Sequence, residues 1–466
     1  MLIDGEWLAS DDRVEVRNPF DGRLVDTVPR GTPADIDRAI AAAQRALDRP
    51  WPAHERYDVL TRAAARLEAD RDAYARTIAL EGSKTIREAQ REPVRCVSLL
   101  RLAAEEGRRL AGETLPFDTR PGSENRVGYY FRFPVGIVGA ITPFNDPLSM
   151  VCHKVGPALA GGNAVVLKPG TATPLSALRL ARDLTAAGLP QGRLNVVTGR
   201  GAELGDALVS DPRVRLVTFT GGVETGERIT RMAGIKKLSM ELGSNSPVIV
   251  LPDADLGRAV PAIASGAFAQ AGQNCLGVQR VFVHEAVYDV FEERFVEHVR
   301  TLRAGWSMDE ATDVCAMISL AQAERVEQWI REAAGGGARI LTGGQREGTV
   351  VWPTVMARLP DGSRLDCDEV YGPVVSLYRV ASLPEAIAAA NRVPYGLHAA
   401  IFTANLHHAF EAIAGLHVGG VIVNDSTDYR LDVMPFGGTK LSGIGREGIR
   451  FALQEMTETR VVCFNL

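Results

Sequence analysis

The 466-residue sequence has no apolar run approaching the roughly 20 residues of a membrane-spanning helix. Its first residues, MLIDGEWLAS, also lack the charged and apolar regions of a signal peptide. We therefore expect a cytoplasmic protein. Charge of one sign is not concentrated either: 52 Lys and Arg are interspersed with 57 Asp and Glu. Because no basic stripe is available for nucleic acid, small molecules are the expected partners.

Cysteine is scarce and widely spaced. The six cysteines form no C-x-x-C pair, which argues against a disulfide framework and against a zinc site, so no metal is expected. Any chemically special cysteine would act as a lone thiol. The candidate is Cys275 in FAQAGQNCLGVQR (268–280), where it lies between two glycines after an apolar helix. Because free cysteine is often simply a buried small residue, this position alone leaves both roles open.

Helical and strand patterns divide the chain into sections. Residues 31–112 carry apolar residues at helical spacing, and Gly82 is expected to end one of these helices. A Pro-Gly turn between extended stretches predicts a hairpin near 118–133. From residue 162 onward strands alternate with helices, one of which is expected to be capped by Thr173. This alternation predicts α/β architecture with two open parallel sheets, a cleft between them, and a ligand site at the carboxyl ends of strands.

Polar residues at strand ends give candidate binding and catalytic groups. The segment FTGGVETG (219–226) joins a strand to a helix, where backbone N–H groups can meet a phosphate. Lys168 ends the strand NAVVLK and could reach a ribose or phosphate oxygen. Glu241 and Asn145 follow two other strands and are candidates for a general base and an oxyanion donor. Taken singly, each pattern is equally typical of an ordinary turn or an exposed loop residue.

Seven segments together carry a more specific signal: TPFNDP, GNAVVLKP, FTGGVETG, MELGSNSPVIV, GQNC, DEVYGPV and MPFGGTKLSGIGREG. In order and spacing they resemble the aldehyde dehydrogenase superfamily over nearly the whole chain. The resemblance implies the aldehyde dehydrogenase fold, with two α/β domains and a small β oligomerisation element. The implied limits are residues 1–117 and 134–246 for a dinucleotide-binding domain, 247–452 for a catalytic domain, and 118–133 with 453–466 for the oligomerisation element.

The same resemblance assigns the catalytic roles. Cys275 matches the nucleophile that attacks an aldehyde, and the Asn145 amide with the Cys275 N–H matches the oxyanion hole. Glu241 matches the base that activates water to hydrolyse the resulting thioester. Because CoA-acylating relatives generally lack this base, a free acid is the expected product. A reductase acting on acyl phosphates or acyl-CoA, and a catalytically silent scaffold protein, are the alternatives.

A nicotinamide cofactor is also implied. The matching residues are Lys168, Thr171, Gly221, Gly222, Phe144, Glu369 and Tyr371. NAD-selective members often have glutamate at the position of Thr171, where its carboxylate binds the ribose 2′-hydroxyl and repels a 2′-phosphate. We therefore expect the protein to accept NADP as well as NAD. Gly222 replaces the serine of many members, which removes one potential pyrophosphate contact.

The substrate tunnel is expected to be polar. The residues that the resemblance places there are Arg95, Met150, His153, Thr427, Tyr429 and Arg430. Two arginines and a histidine could clamp an anionic group. Alternatively, the arginines could form structural salt bridges with Asp146, Asp428 or Asp432. Asp146 would suit an anionic substrate only if an arginine neutralised it.

The segments NDSTDYR…MPFGG and PFNDPL, together with His153, most resemble the branch that contains phosphonoacetaldehyde and lactaldehyde dehydrogenases. The implied substrate is a short aldehyde with an anionic or hydroxylated tail. Phosphonoacetaldehyde is the first candidate, and lactaldehyde and succinate semialdehyde are the next. The family resemblance further implies a homodimer or homotetramer that pairs through the hairpin and the terminal strand.

Overall fold

The computed structural model describes residues 1–466, which form five sheets and 15 α-helices. The strands are β1 (Leu2–Ile3), β2 (Glu6–Trp7), β3 (Arg13–Arg17), β4 (Leu24–Pro29), β5 (Glu113–Leu115), β6 (Arg126–Pro134), β7 (Ile137–Ile141), β8 (Ala164–Lys168), β9 (Leu194–Val196), β10 (Val214–Thr220), β11 (Lys237–Glu241), β12 (Ser246–Val250), β13 (Val278–His284), β14 (Arg339–Thr342), β15 (Arg346–Glu347), β16 (Val350–Val351), β17 (Thr354–Ala357), β18 (Val374–Val380), β19 (His398–Phe402), β20 (Gly420–Val423), β21 (Gly443–Ile444) and β22 (Thr457–Asn465).

The helices are α1 (Pro33–Leu47), α2 (Ala53–Ala69), α3 (Arg71–Glu81), α4 (Ile86–Arg108), α5 (Ser149–Ala160), α6 (Leu175–Ala186), α7 (Gly201–Ser210), α8 (Val223–Met232), α9 (Leu256–Phe268), α10 (Glu285–Arg300), α11 (Leu320–Gly335), α12 (Arg364–Cys367), α13 (Leu383–Asn391), α14 (Leu406–Gly415) and α15 (Ile449–Glu455). None of them combines the length and the apolar composition needed to cross a bilayer. As predicted, α1–α4 occupy the front section, and α3 ends at Gly82.

The first large sheet has eight strands in the order β2-β1-β9-β8-β7-β10-β11-β21. Its five central strands, from β9 to β11, run parallel, whereas β1 and β21 pair antiparallel at the two sides. Every residue of β7 and β8 is buried. Such continuous apolar strands require helices on both faces of the sheet, which explains the alternation read from the sequence.

The second large sheet has seven strands in the order β14-β17-β18-β13-β12-β19-β20. Six of them are parallel, and β14 pairs antiparallel at one edge. Its main core lies between this sheet and α9, α10 and α11 and is separate from the cores of the first sheet. The prediction of two α/β units is therefore confirmed.

A smaller antiparallel sheet contains β5, β6 and β22 in the order β22-β6-β5. The predicted hairpin exists, but its first strand, β5, lies before residue 118, and 118–133 contains only β6. The last part of the expected catalytic domain, residues 247–452, also differs from the prediction. β21 pairs with β11, and α15 packs against α5. Both elements therefore belong to the α/β unit of the first sheet.

The start of α6 differs from the sequence prediction. Thr173 does not cap this helix, because its hydroxyl donates to the Phe144 carbonyl and helix residues begin only at Leu175. Instead, the buried carboxylate of Glu81, at the end of α3, accepts hydrogen bonds from the backbone N–H groups of Leu175 and Ser176. A distant side chain therefore satisfies the N–H groups that every helix start leaves free.

Replacement of Glu81 by alanine should leave these two buried N–H groups without a partner. We expect a loss of about 2–4 kcal/mol in the free energy of unfolding, measured by urea denaturation. Glu68→Ala, which removes an acid from an exposed ion pair on α2, is the matched control and should change stability by under about 1 kcal/mol. An equal effect of both variants would contradict the capping role.

Candidate active site

A cavity of about 1290 Å³ separates the two large sheets. On one side lie residues that follow the carboxyl ends of β7, β8, β10 and β11, as the parallel-sheet rule predicts. On the other side, Cys275 and Glu369 precede the amino ends of β13 and β18. The cavity is therefore bounded by opposite strand ends of the two sheets.

Most of the residues selected from the sequence line this cavity. They are Asn145, Glu241, Cys275, Phe144, Lys168, Thr171, Gly221, Gly222, Glu369, Tyr371, Arg95, Met150 and Arg430. The structure does not bring His153, Thr427 or Tyr429 to the cavity wall. The groups assigned to the nucleophile, the base, the oxyanion donor and the cofactor therefore face one space.

The loop before Cys275 has an unusual backbone. Gln270, Ala271 and Gly272 are consecutive residues with φ of 56°, 53° and 67°. Two non-glycine residues in this left-handed region cost on the order of 1–3 kcal/mol each, so other contacts must hold them. The carboxylate of the half-buried Glu88 on α4 accepts from the Gln270 N–H at 2.9 Å. At Gly272 a Cβ would overlap the Gly372 carbonyl, so only glycine fits.

The Cys275 thiol is partly exposed to the cavity. Burial raises its pKa, the negative charge of Asp146 adds to this shift, and the Arg430 guanidinium opposes it. Its backbone N–H makes no hydrogen bond within the chain and is free to bind an oxyanion. By contrast, the two neighbouring residues bond to each other, because the Asn274 side chain accepts from the Leu276 N–H.

An ionic network holds the Asn145 loop against the Cys275 loop. The Asp146 carboxylate accepts from the Lys84 ammonium and, at 3.2 Å, from the Gln270 side-chain amide. Although burial alone would raise the pKa of Asp146, the charge of Lys84 lowers it overall. Lys84 also donates to Glu92 at 2.5 Å. Asp146 is therefore neutralised by a lysine, and not by an arginine as the sequence analysis required.

Glu241 is a buried acid with no hydrogen-bond partner for either carboxylate oxygen. Burial raises its pKa well above the usual value, and the nearby charge of Glu447 raises it further. Glu447 is in the opposite state, because Lys154 donates to it at 2.9 Å and Arg430 at 3.1 Å. Lys154 thereby lowers the pKa of Glu447 despite its burial. Two neighbouring acids thus have pKa values shifted in opposite directions.

The far end of the cavity fits a dinucleotide. The Lys168 ammonium has no acidic partner: it donates to the Pro169 carbonyl at 2.6 Å and to the Thr171 hydroxyl at 3.1 Å. Burial lowers its pKa to about 8. Gly222 begins α8 without a side-chain cap, so the free N–H groups of this helix start face the cavity. A lysine and an uncapped helix start are suited to ribose and phosphate oxygens.

Glu369 lies deeper in the cavity, where it accepts from the Ser244 N–H at 2.8 Å. Burial raises its pKa to about 7. A Cβ at Gly243 would overlap the Glu369 carboxylate, which explains the glycine. Tyr371 packs edge-on against Phe144, with ring centroids 5.9 Å apart. Glu369, Tyr371 and Phe144 therefore line the same cavity as Lys168 and Cys275.

The predicted anion clamp is partly engaged in structural ion pairs. Arg95 donates to Asp432 at 2.6 Å, and Arg430 donates to Glu447. His153 is fully buried, and burial lowers its pKa to about 4, so its ring is neutral at pH 7. The His153 Nε2 lies 3.1 Å from an Asp432 carboxylate oxygen and 3.2 Å from the Arg95 guanidinium. His153 therefore cannot supply positive charge to a substrate.

Thr427 and Tyr429 lie outside the cavity wall for different reasons. The Thr427 hydroxyl donates to the Leu276 carbonyl, next to Cys275, and the Thr427 side chain is completely buried. Tyr429 is exposed on the surface. Thr427 therefore supports the backbone next to the thiol, whereas Tyr429 contacts neither the thiol nor the cavity.

The model of the Aldehyde dehydrogenase family matches residues 7–462. The chain belongs to this family. The 3-sulfolactaldehyde dehydrogenase of Priestia aryabhattai is 44% identical over 100% of this chain and 98% of the relative. Aldehyde dehydrogenase 21 of Physcomitrella patens, solved with the product succinate, has a TM-score of 0.97 and 38% identity over 99% of this chain and 97% of its own.

A similar protein solved with NADP supports the conclusion that the cavity fits a dinucleotide. The NADP-dependent glyceraldehyde-3-phosphate dehydrogenase of Bacillus halodurans, solved with NADP, has a TM-score of 0.97 and 37% identity over 100% of this chain and 98% of its own. The protein is therefore an NAD(P)-dependent aldehyde dehydrogenase. Its fold is that of the family, as the sequence analysis predicted.

Several residues of this dehydrogenase that shape the site escaped sequence analysis. Four side chains position the candidate catalytic groups or influence their charge state, although none matches a recognised catalytic pattern: Lys84, Gln270, Lys154 and Glu447. Gln270 and Glu447 lie inside or beside the quoted motifs, so their position was a signal. Lys84 and Lys154 are fully buried lysines, and burial cannot be read from a single residue letter.

Thr171 offers a direct test of nucleotide choice in this dehydrogenase. Because no carboxylate lies beside Lys168, we expect KM for NADP to be within about a hundredfold of KM for NAD. Thr171→Glu should place a carboxylate there and raise KM for NADP at least about tenfold, with little change for NAD, in steady-state kinetics with each cofactor. Thr171→Ala is the control. If it weakens NADP as much, charge repulsion is not the reason.

Proposed function

We propose that the protein oxidises a short aldehyde with an anionic or hydroxylated tail to the free acid. Phosphonoacetaldehyde is the first candidate, and lactaldehyde and succinate semialdehyde are the next. The observation that carries the proposed reaction is that two groups line one cavity. They are the partly exposed thiol of Cys275 and the buried carboxylate of Glu241, which makes no hydrogen bond. Nothing within the chain competes for either group.

Cys275 is the nucleophile in this proposal. Its thiol loses its proton to water, and the resulting thiolate adds to the aldehyde carbon to form a thiohemiacetal, whose oxyanion is stabilised by the Cys275 N–H and the Asn145 amide. The N–H is unbonded, and the Asn145 amide makes only one long contact, 3.4 Å to Asp146. Both donors are therefore available when charge develops on the oxygen.

Loss of hydride from the thiohemiacetal leaves a thioester on Cys275. When bound, the oxidised nicotinamide supplies the hydride acceptor and a positive charge near the thiol. Glu241 then takes a proton from water, which attacks the thioester and releases the acid. A general base is most effective when its pKa lies near the operating pH, and burial raises the pKa of Glu241 in that direction.

The substrate class is supported by relatives with acidic substrates or products. By name, these relatives act on 3-sulfolactaldehyde and glyceraldehyde 3-phosphate, and the third was solved with succinate. In this chain Arg430 lines the cavity and its Nε–H is buried without a partner. Arg95 also lines the cavity and uses only Nε and one terminal nitrogen for Asp432. Both arginines keep donors for an acidic tail.

We also propose that the small sheet mediates the homodimer or homotetramer expected from the sequence. Tyr129, Phe131 and Phe464 lie on one face of it and are exposed. The Tyr129 ring contacts the rings of both others, with centroids about 6.5 Å apart. A contiguous exposed aromatic face is typical of a protein–protein contact.

Glu241→Gln should separate acylation from hydrolysis. Rapid mixing of enzyme, cofactor and aldehyde should give one burst of reduced cofactor per site, followed by turnover slowed about 10²–10⁴-fold. In the native enzyme the hydrolytic rate should rise with pH as Glu241 ionises, and the variant should lose that limb. Cys275→Ala is the control and should show no burst. Full turnover in both variants would refute the proposed chemistry.

An aldehyde panel tests the substrate class. We expect kcat/KM for phosphonoacetaldehyde or succinate semialdehyde to exceed that for propanal or butanal at least about tenfold, because one charged hydrogen bond accounts for that ratio. Lactaldehyde, with a neutral hydroxylated tail, should be intermediate. The panel should be run with both cofactors. Equal rates for acidic and alkyl aldehydes would overturn the substrate proposal but not the dehydrogenase activity.

A further inference from the structure

One cation in the cavity wall has no partner. Seven lysines and arginines line the cavity: Lys84, Arg91, Arg95, Lys168, Arg228, Arg325 and Arg430. Six of them donate to groups of the chain. Arg91 is exposed and makes neither a hydrogen bond nor an ion pair. Its guanidinium is therefore free to bind a ligand.

The surroundings of Arg91 explain why it stays free. Its acidic neighbours on α4 are the half-buried Glu88 and the buried Glu92, and both are engaged elsewhere. Glu88 accepts from the N–H groups of Gln270 and Thr85. Glu92 accepts from Lys84 and from the two N–H groups at the start of α5. Neither carboxylate turns toward Arg91, although side chains three residues apart on a helix could meet.

The position of Arg91 places it beside the substrate side of the cavity. It lies one helical turn before Arg95, on the same face of α4, and residues four apart are neighbours on a helix. Arg95 is paired with Asp432, and Arg430 shares Glu447 with Lys154. Their donors can orient an acidic tail, but among the cations of the cavity wall only Arg91 is free of any contact with a polar group of the chain.

Resting on the function proposed above, we propose that Arg91 is a specificity-determining residue that binds the acidic group of the aldehyde's tail. The group it recognises is a carboxylate, phosphonate or sulfonate, for which a guanidinium is suited by its planar fork of donors. Because Arg91 touches the tail and not the reacting carbonyl, it contributes to binding equally before and during the chemical step. Such an interaction changes KM and leaves kcat unaltered.

The test compares acidic and neutral aldehydes of similar length with Arg91→Gln. We expect KM for succinate semialdehyde and phosphonoacetaldehyde to rise at least about tenfold, while kcat changes less than about twofold. KM for butanal and propanal should not change. Added salt should raise KM for the acidic aldehydes less steeply in the variant than in the native enzyme, because one exposed charge is gone.

Two further variants separate charge from structure. Arg91→Lys keeps the positive charge and should recover most of the lost affinity for acidic aldehydes. Arg101→Gln, farther along α4 and paired with Glu68 outside the cavity, is the matched control and should leave both substrate classes unaffected.

The outcomes distinguish this inference from the function on which it rests. If the native enzyme prefers acidic aldehydes and Arg91→Gln keeps that preference, the role of Arg91 is refuted and the proposed function stands. Equal changes in KM for acidic and neutral aldehydes, or no recovery with Arg91→Lys, would also refute it. If the native enzyme shows no preference for acidic aldehydes, both proposals fail.

Discussion

The carboxylate of Asp146 is the contact on which the geometry of the active site depends. It accepts from Lys84, from the Gln270 amide and weakly from Asn145, and so joins three segments that are far apart in sequence. Gln270 lies in a left-handed conformation that would be unstable alone. The Gln270–Asp146 hydrogen bond, together with the Glu88 bond to the Gln270 N–H, holds the Cys275 loop against the Asn145 loop.

Around this anchor, burial and pairing give two acids different chemistry. Glu447 is held ionised by Lys154 and Arg430, whereas Glu241 has no partner at all. Opposed environments of this kind are how proteins assign distinct roles to identical carboxyl groups. Burial and the neighbouring charge of Glu447 raise the pKa of Glu241, and both of its oxygens are free for water.

Sequence analysis correctly identified the strand ends, because the carboxyl ends of parallel strands meet at one edge whatever the side-chain detail. It was less successful with the substrate wall. The sequence makes His153 a possible member of an anion clamp, but full burial makes its ring neutral. A salt bridge between Asp146 and an arginine was one alternative, but Lys84, just before α4, is the residue that pairs with Asp146. A role for Arg91 could not be predicted, because the sequence does not show that the neighbouring Glu88 and Glu92 bond to other groups.

The sequence by itself determined the two α/β units, the family, and the residues with reactive side chains, because periodicity and ordered motifs are local properties of the chain. Only the tertiary structure decided which acids are paired, which histidine is neutral, and which N–H groups are free. Those states depend on burial and on contacts between segments such as α4 and the Cys275 loop. A desolvated charge is stable only when its partner arrives from elsewhere in the fold, and no linear pattern records that partner.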